Sequence, residues 1–287
     1  MSTMIEDDRV IGLQDEAIAE AAAQSDRRER VLRWAMPLGL IFLVLAIWEI
    51  GVWWNETPHY ILPGPILVIQ TLFTDWHTLY PSLLVTLKIT FLALAIAIIG
   101  GVGLAVLFTL SKWVEFSLFP FAVIAQVTPI IAIAPLILIY VDNTYAALLI
   151  CAWIVAFFPI LSNTTLGLNS ADHNLVNLFQ LYGASRWQML RYLRLPSAMP
   201  FFLGGLKIAG GLALIGAIVA EFAAGTAGTG SGLAYRILEA SYRLNIPRMF
   251  ASLILISISG ILIFFAFTAL SHLMLRKWHE SALKREN

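Results

Sequence analysis

Long apolar runs alternate with short polar connections along this chain. A helix needs about 20 mostly apolar residues to cross a hydrocarbon core. Six stretches meet that length, at about 34–54, 83–110, 116–141, 145–167, 200–224 and 249–274. The pattern predicts an all-α, polytopic membrane protein with six transmembrane helices. Residues 1–33 are charged and lack the apolar core of a cleavable leader, so 34–54 reads as an uncleaved signal anchor. A membrane domain over 34–274 is then flanked by a tail at 1–33 and another at 275–287.

The connection between the fourth and fifth spans, 168–198, has a helical pattern of its own. Leu175, Leu178, Phe179 and Tyr182 recur at i, i+3, i+4 and i+7, with His173, Asn174, Asn177 and Gln180 elsewhere around the helix. Gly183 interrupts this helix. Ser185 is placed to cap a second one, and Leu195-Pro196 should end it, because the residue before proline is pushed out of the helical region. Met189, Leu190, Tyr192 and Leu193 fall on one side of that second helix; Arg191 and Arg194 share the other. Two short amphipathic helices joined at a glycine are expected. The same pattern fits basic helices lying at the headgroup interface, and periodicity does not separate the two.

Composition strengthens the membrane reading. Hydrophobic residues make up 59% and charged residues 13%, with a mean hydropathy of +0.81, too apolar for an ordinary soluble domain. Eighteen basic residues balance eighteen acidic ones, so nothing in the charge suggests nucleic acid. A single cysteine, Cys151, excludes an internal disulfide framework and a CxxC metal pair. The distribution of Lys and Arg sets an orientation. The N-terminal side carries thirteen of them, including Lys112, Arg186, Arg191, Arg194 and Arg276, while the other side carries Arg236, Arg243 and Arg248. Both termini and the 168–198 connection are therefore expected in the cytoplasm.

Few residues offer chemistry. No G-x-x-x-x-G-K-[ST] run is present, and "GTAGTGSG" at 225–232 lacks the lysine and follows a span instead of a strand. The five histidines show no ligand spacing, and no Ser/His/Asp set can be placed together. No catalytic residue, metal site or cofactor is expected. Pro120, Pro129 and Pro135 should kink or loosen the third span and free backbone carbonyls beside a cavity. Gln126 and Thr128 flank that break, and Asn163 and Thr164 end the fourth span, so these four, with Glu221, are candidates for a translocation path. Each also reads as a hydrogen bond between helices. Intramembrane charges are costly: Lys88 and Glu221 are expected to pair, and Lys207 to snorkel toward the nearer interface.

Several blocks carry a family resemblance. Gly183, nine residues, then Leu193-Arg194-Leu195-Pro196 resembles the G-x9-I-x-LP core of the EAA loop in permease subunits of ABC importers. "ILPGP", "TPIIAIAPLILIY", "FFPILSNTTLGL" and "LPSAMPFFLGGLKIAGGLALIGAIVAEF" are similar to other family blocks, over roughly residues 60–280. The likeness is strongest to the nitrate, sulfonate and taurine branch, which also contains permeases for pyrimidine-type vitamin precursors. The chain has Asn177-Leu178-Phe179 where the family usually has Glu-Ala-Ala, and "YVDNTY" lacks a glycine often found there.

The resemblance implies a bacterial inner-membrane permease, one of two identical copies around a shared pore. ATP would be hydrolysed by a separate subunit, docked on coupling helices carrying Gly183, Ala184, Ser185, Arg186, Arg191, Arg194, Leu195 and Pro196. A periplasmic or lipid-anchored solute-binding protein would contact the outer helix around Arg236, Glu239 and Arg243, expected to be exposed. The solute would be a nitrate-, sulfonate- or taurine-like anion or a pyrimidine-type precursor. Two other readings stand beside it: an ion-gradient-driven secondary transporter using Lys88, Glu221 and Lys207, and a membrane scaffold without transport.

Overall fold

A computed structural model describes Leu32, residues 35–225 and residues 230–276. The predicted tails, apart from Leu32, Leu275 and Arg276, and residues 226–229 of the glycine-rich run lie outside the described residues. Among those described, every regular element is helical. The chain divides after Leu67. In its first part α1 (Ala35–Trp54) is long and apolar enough to span a membrane. Glu49 Oε2 near the end of α1 accepts the Ile66 amide at 3.2 Å.

The second part begins within α2 (Pro65–Thr74) and continues with α3 (Trp76–Leu110), α4 (Lys112–Val127), α5 (Ile130–Tyr140) and α6 (Thr144–Leu168). After α6 come α7 (His173–Leu181), α8 (Arg186–Met189), a π-helical turn (Leu190–Arg194), α9 (Leu195–Ala224), α10 (Leu233–Tyr242) and α11 (Ile246–Leu275). Helices α3, α6 and α11, and α8 to α9 taken together, each qualify as a span, as does the bent pair α4–α5. With α1 this gives the six expected spans.

Two of them depart from the expected form. The third span, expected as one piece over 116–141, is bent by 103° between Val127 and Ile130. Pro129 has no amide to offer the helix and pushes Thr128 into the extended region, so two extended residues stand in a row. Pro120 and Pro135 stay within their helices, so the break belongs to Pro129. The fifth span is longer than expected. Leu195-Pro196 does not end the second short helix, because the chain runs helically from Arg186 to Ala224 over 39 residues. The π turn explains the continuity: the Leu195 amide reaches back to Leu190 O, one residue further than in an α-helix. The widened turn makes room for the Pro196 ring where a regular turn would clash.

The core is built on α6 and α9, the most extensive helix pair. In lipid there is little hydrophobic gain from bringing two helices together, so close backbone approach and van der Waals contact must hold them. The facing stripes supply small residues: Ala147, Cys151, Ala152 and Ala156 on α6, and Ala198, Gly205, Ala209, Ala213, Gly216, Ala217 and Ala220 on α9. A Cβ at Gly216 would stand 2.8 Å from Ala152 Cα, and one at Gly205 2.8 Å from Pro159 O. Helix α3 packs on both, burying Ile89, Ala93, Leu94 and Ala97 against them.

Candidate functional site

The α7–α9 segment carries most of the residues singled out for coupling. Asp172 caps α7, its side chain accepting the Asn174 amide at 2.7 Å. The C-terminus of α7 closes in a Schellman arrangement: the Gly183 amide bonds Gln180 O at 3.0 Å and the Ala184 amide bonds Phe179 O at 2.9 Å. That geometry needs a left-handed residue at the turn, and Gly183 has φ +67°. Ser185 then caps the next helix as expected. Its Oγ accepts the Gln188 amide at 3.2 Å, and Gln188 Oε1 accepts the Ser185 amide at 2.7 Å, forming a reciprocal capping box.

A hairpin of two capped helices results, with the turn fixed by hydrogen bonds within residues 179–188. Leu190 and Leu193 are buried. Tyr192, expected beside them, is 66% exposed because the π turn rotates it off the apolar side. Leu181, Tyr182 and Trp187 are exposed as well. Arg186 and Arg191 are exposed, and Arg194 is half-buried. A cleft of about 600 Å³ lies between this hairpin and the α3–α4 junction, where Arg186 and Arg194 meet Ser111, Lys112 and Trp113. Leu195 is at the edge of exposure, and Pro196 is half-buried at the start of α9.

The path candidates separate into three places. Gln126 and Thr128 line a cleft of about 290 Å³ at the α4–α5 break, together with Ile154, Val155, Pro159 and Leu212. Among the described residues, no charged side chain lines it. Asn163 is not in its lining: its Nδ2 donates to Pro159 O at 2.9 Å, and its Cβ sits against Gly205 in the α6–α9 seam. Thr164 is buried, and its hydroxyl has no partner among the described residues.

Glu221 lies apart from that cleft, and its environment was not foreseen. Its side chain is 3% exposed. Oε1 accepts from Thr86 Oγ1 at 2.8 Å and Oε2 accepts from the Ala234 amide at 3.0 Å. The Thr86 hydroxyl oxygen accepts the Leu233 amide at 2.9 Å. The expected Glu221–Lys88 pair is therefore absent. Lys88 is exposed and lies over the Tyr145 ring, 5.5 Å from its centroid. Lys88 follows Thr86 by two residues, about 200° around the helix, which sends it to the opposite face.

The expected exposure of α10 holds for Arg243 but not for its neighbours. The Arg236 and Glu239 side chains are only 18% and 15% exposed, against 69% for Arg243. Arg236 Nε donates to Ser82 Oγ of α3 at 2.8 Å, while its guanidinium also holds Glu239 at 2.8 Å. Glu239 is shared with Arg243 at 3.1 Å. Ser82, Thr86 and Gly232 were not singled out by the sequence reading. Their one signal was the Ser82, Thr86, Thr90 spacing of four, which lines one face of α3 with hydroxyls.

A multi-spanning helical bundle with a capped hairpin at one end and a broken span has the parts of a membrane transport subunit. Residues 97–277 match the family described as Binding-protein-dependent transport system inner membrane component, and the chain belongs to that family. In this family ATP hydrolysis resides in a separate subunit, so the chain is a permease component and not an enzyme. The family places it in the inner membrane and implies ATPase and binding-protein partners.

The formylaminopyrimidine transport permease protein ThiX of Halalkalibacterium halodurans is 34% identical over 82% of this chain and 93% of that protein. The riboflavin transport system permease protein RibX of Chloroflexus aurantiacus is 33% identical over 72% and 80%. The taurine transport system permease protein TauC of Escherichia coli K12 is also a relative, 26% identical over 87% and 94%. The fold matches that of the MetNI methionine ABC transporter in an inward-facing conformation, with TM-score 0.59 and 18% identity over 75% of this chain and 99% of that one.

Proposed function

We propose that this chain forms half of the translocation path of an ABC importer, as one of two identical copies, and that its 172–195 hairpin is the knob received by the ATPase. The hairpin itself carries this reading. A lipid-lying helix has no need of a Schellman turn, a capping box and exposed aromatics on both sides of the turn, whereas docking into a protein groove rewards a shape fixed in advance. The excess of Lys and Arg on the side of the N-terminus supports a cytoplasmic hairpin and cytoplasmic termini. Helix α10 is then on the outer face, available to the solute-binding protein through Arg243 and, in part, Arg236 and Glu239.

The solute in this reading is an uncharged heteroaromatic of the pyrimidine type. The charge-free lining of the α4–α5 cleft supports it, since an anion path is expected to carry Lys or Arg. ThiX and RibX, named for heteroaromatic solutes, are also more similar to this chain than TauC. The test is purification of the tagged permease in gentle detergent, then uptake in vesicles holding the captured partners. A stoichiometric ATPase and ATP-dependent uptake of a formylaminopyrimidine are expected. Uptake of taurine instead would overturn the solute. Gradient-driven uptake without any ATPase would overturn the coupling assignment.

A further inference from the structure

One carboxyl group joins three helices at the α10 end of the bundle. Glu221 sits in the last turn of α9, accepts from Thr86 of α3, and accepts the second amide of α10. Thr86 takes the first amide of α10 through its hydroxyl oxygen. The start of α10 is thus capped by side chains from two other helices, while its own N-cap residue, Gly232, contributes none. A Cβ at Gly232 would stand 2.0 Å from Glu221 Oε1, so the carboxyl occupies the space a side chain would need. One turn further along, Arg236 binds Ser82 on the same face of α3.

We infer that Glu221 is a positioning residue for coupling: the joint through which engagement of α10 by the solute-binding protein is passed to α9 and, along it, to the ATPase-docking hairpin. This rests on the reading under Proposed function. Its geometry has two parts. First, lifting α10 from α3 without moving α9 leaves the buried Leu233 and Ala234 amides unpaired, which is strongly unfavourable away from water. The start of α10 and the end of α9 therefore move together. Second, the helix bearing Glu221 is continuous from Arg186 to Ala224. At about 1.5 Å per residue it runs about 53 Å from Arg186 of the hairpin to Glu221 at the joint. The far ends of α10 and of the α10–α11 turn stay accessible, with Tyr242 81% and Leu244 64% exposed.

The experiment uses the assembled permease–ATPase complex in lipid nanodiscs, titrated with its solute-loaded binding protein, with ATP hydrolysis as the readout. Glu221→Gln and Gly232→Ala are the test variants: the first weakens the joint with a near-isosteric group, and the second displaces the carboxyl while keeping it. Both should leave hydrolysis without binding protein near the wild-type rate and lower the maximal stimulation about tenfold. The binding-protein concentration at half-maximal effect should stay unchanged. Arg243→Glu should do the reverse, raising that concentration while preserving the maximum. Full stimulation in both joint variants would overturn the inference, as would parallel loss of basal hydrolysis and thermal stability, which marks a structural role only. If the wild-type complex itself shows no stimulation, the importer reading fails and the inference with it.

Discussion

Two adjacent glycines of α9 should respond to the same substitution with opposite sign. A Cβ built at Gly204 meets nothing within 4 Å, whereas one at Gly205 stands 2.8 Å from both Pro159 O and Asn163 Cβ. Alanine is favoured over glycine in a helix by about 1 kcal/mol, so Gly204→Ala should be neutral or stabilising by up to that amount. At Gly205 the same gain is opposed by overpacking, typically about 1–3 kcal/mol. Pro159 O cannot swing aside: it is backbone, and it already accepts from Asn163 Nδ2 at 2.9 Å. Gly205→Ala should therefore be destabilising by up to about 2 kcal/mol, and the two variants should differ by about 1–3 kcal/mol.

The chain supplies its own reporter. Cys151 is its single cysteine, fully buried on α6 in the same seam. A thiol-reactive fluorophore should label it only as α6 and α9 separate. Thermal ramps of the purified permease in detergent should show Gly205→Ala labelling several degrees below wild type and Gly204→Ala at or above it. Equal displacement of both midpoints, or a lower midpoint for Gly204→Ala, would refute the argument that close approach at one face, and not helix propensity, holds this pair together.

Gly183 should tolerate Asn better than Ala, and Ala better than Val, because the position is left-handed and a Cβ there meets no other atom within 4 Å. The cost is then backbone alone, about 1–2 kcal/mol for an ordinary residue. ATPase pull-down at equal membrane abundance should follow that order, with Gly183→Val weakest; equal capture by all variants would show that the turn is not the docking element. Arg248 and Asp75 pair at 2.5 Å with side chains 20% and 14% exposed, so Arg248→Gln and Asp75→Asn should each cost more than an exposed pair, about 1–2 kcal/mol. The double variant should cost less than the sum in thermal unfolding, and strict additivity would mean that the pair contributes nothing.

What was legible in the sequence was written within a few residues. The spans follow from continuous apolar runs, and the Gly183 turn and Ser185 cap from signatures whose hydrogen bonds close over at most five positions. The π turn was not legible, because Leu195-Pro196 has the local appearance of a helix stop, and only packing of Leu190 and Leu193 into the bundle makes continuation favourable. Glu221 and Arg236 failed for a different reason. Their partners Thr86 and Ser82 lie 135 and 154 residues away, and a hydroxyl carries no sequence mark of the helix it will face. Charge pattern alone pointed Glu221 to Lys88 and Arg236 to solvent; helical rotation of α3 and the packing of α10 against it decided otherwise.

The placement of small residues also says where this bundle is able to bend. Helices α6 and α9 approach so closely at Gly205 and Gly216 that sliding one past the other would drive backbone into backbone, so the pair moves as one body. Thr86 and Glu221 tie the start of α10 and the N-terminal third of α3 to that body at one end. Two places where the spans depart from the regular α-helical ladder are the Thr128–Pro129 break and the Leu190–Arg194 turn. Bending within the spans costs least at those two points, where the i→i−4 pattern is broken by Pro129 or widened to i→i−5. One of them borders the uncharged cleft holding Gln126 and Thr128, and the other is the part of the hairpin that runs into α9. Motion at the second is passed to the first through α9, whose Leu212 lines that cleft midway along the helix.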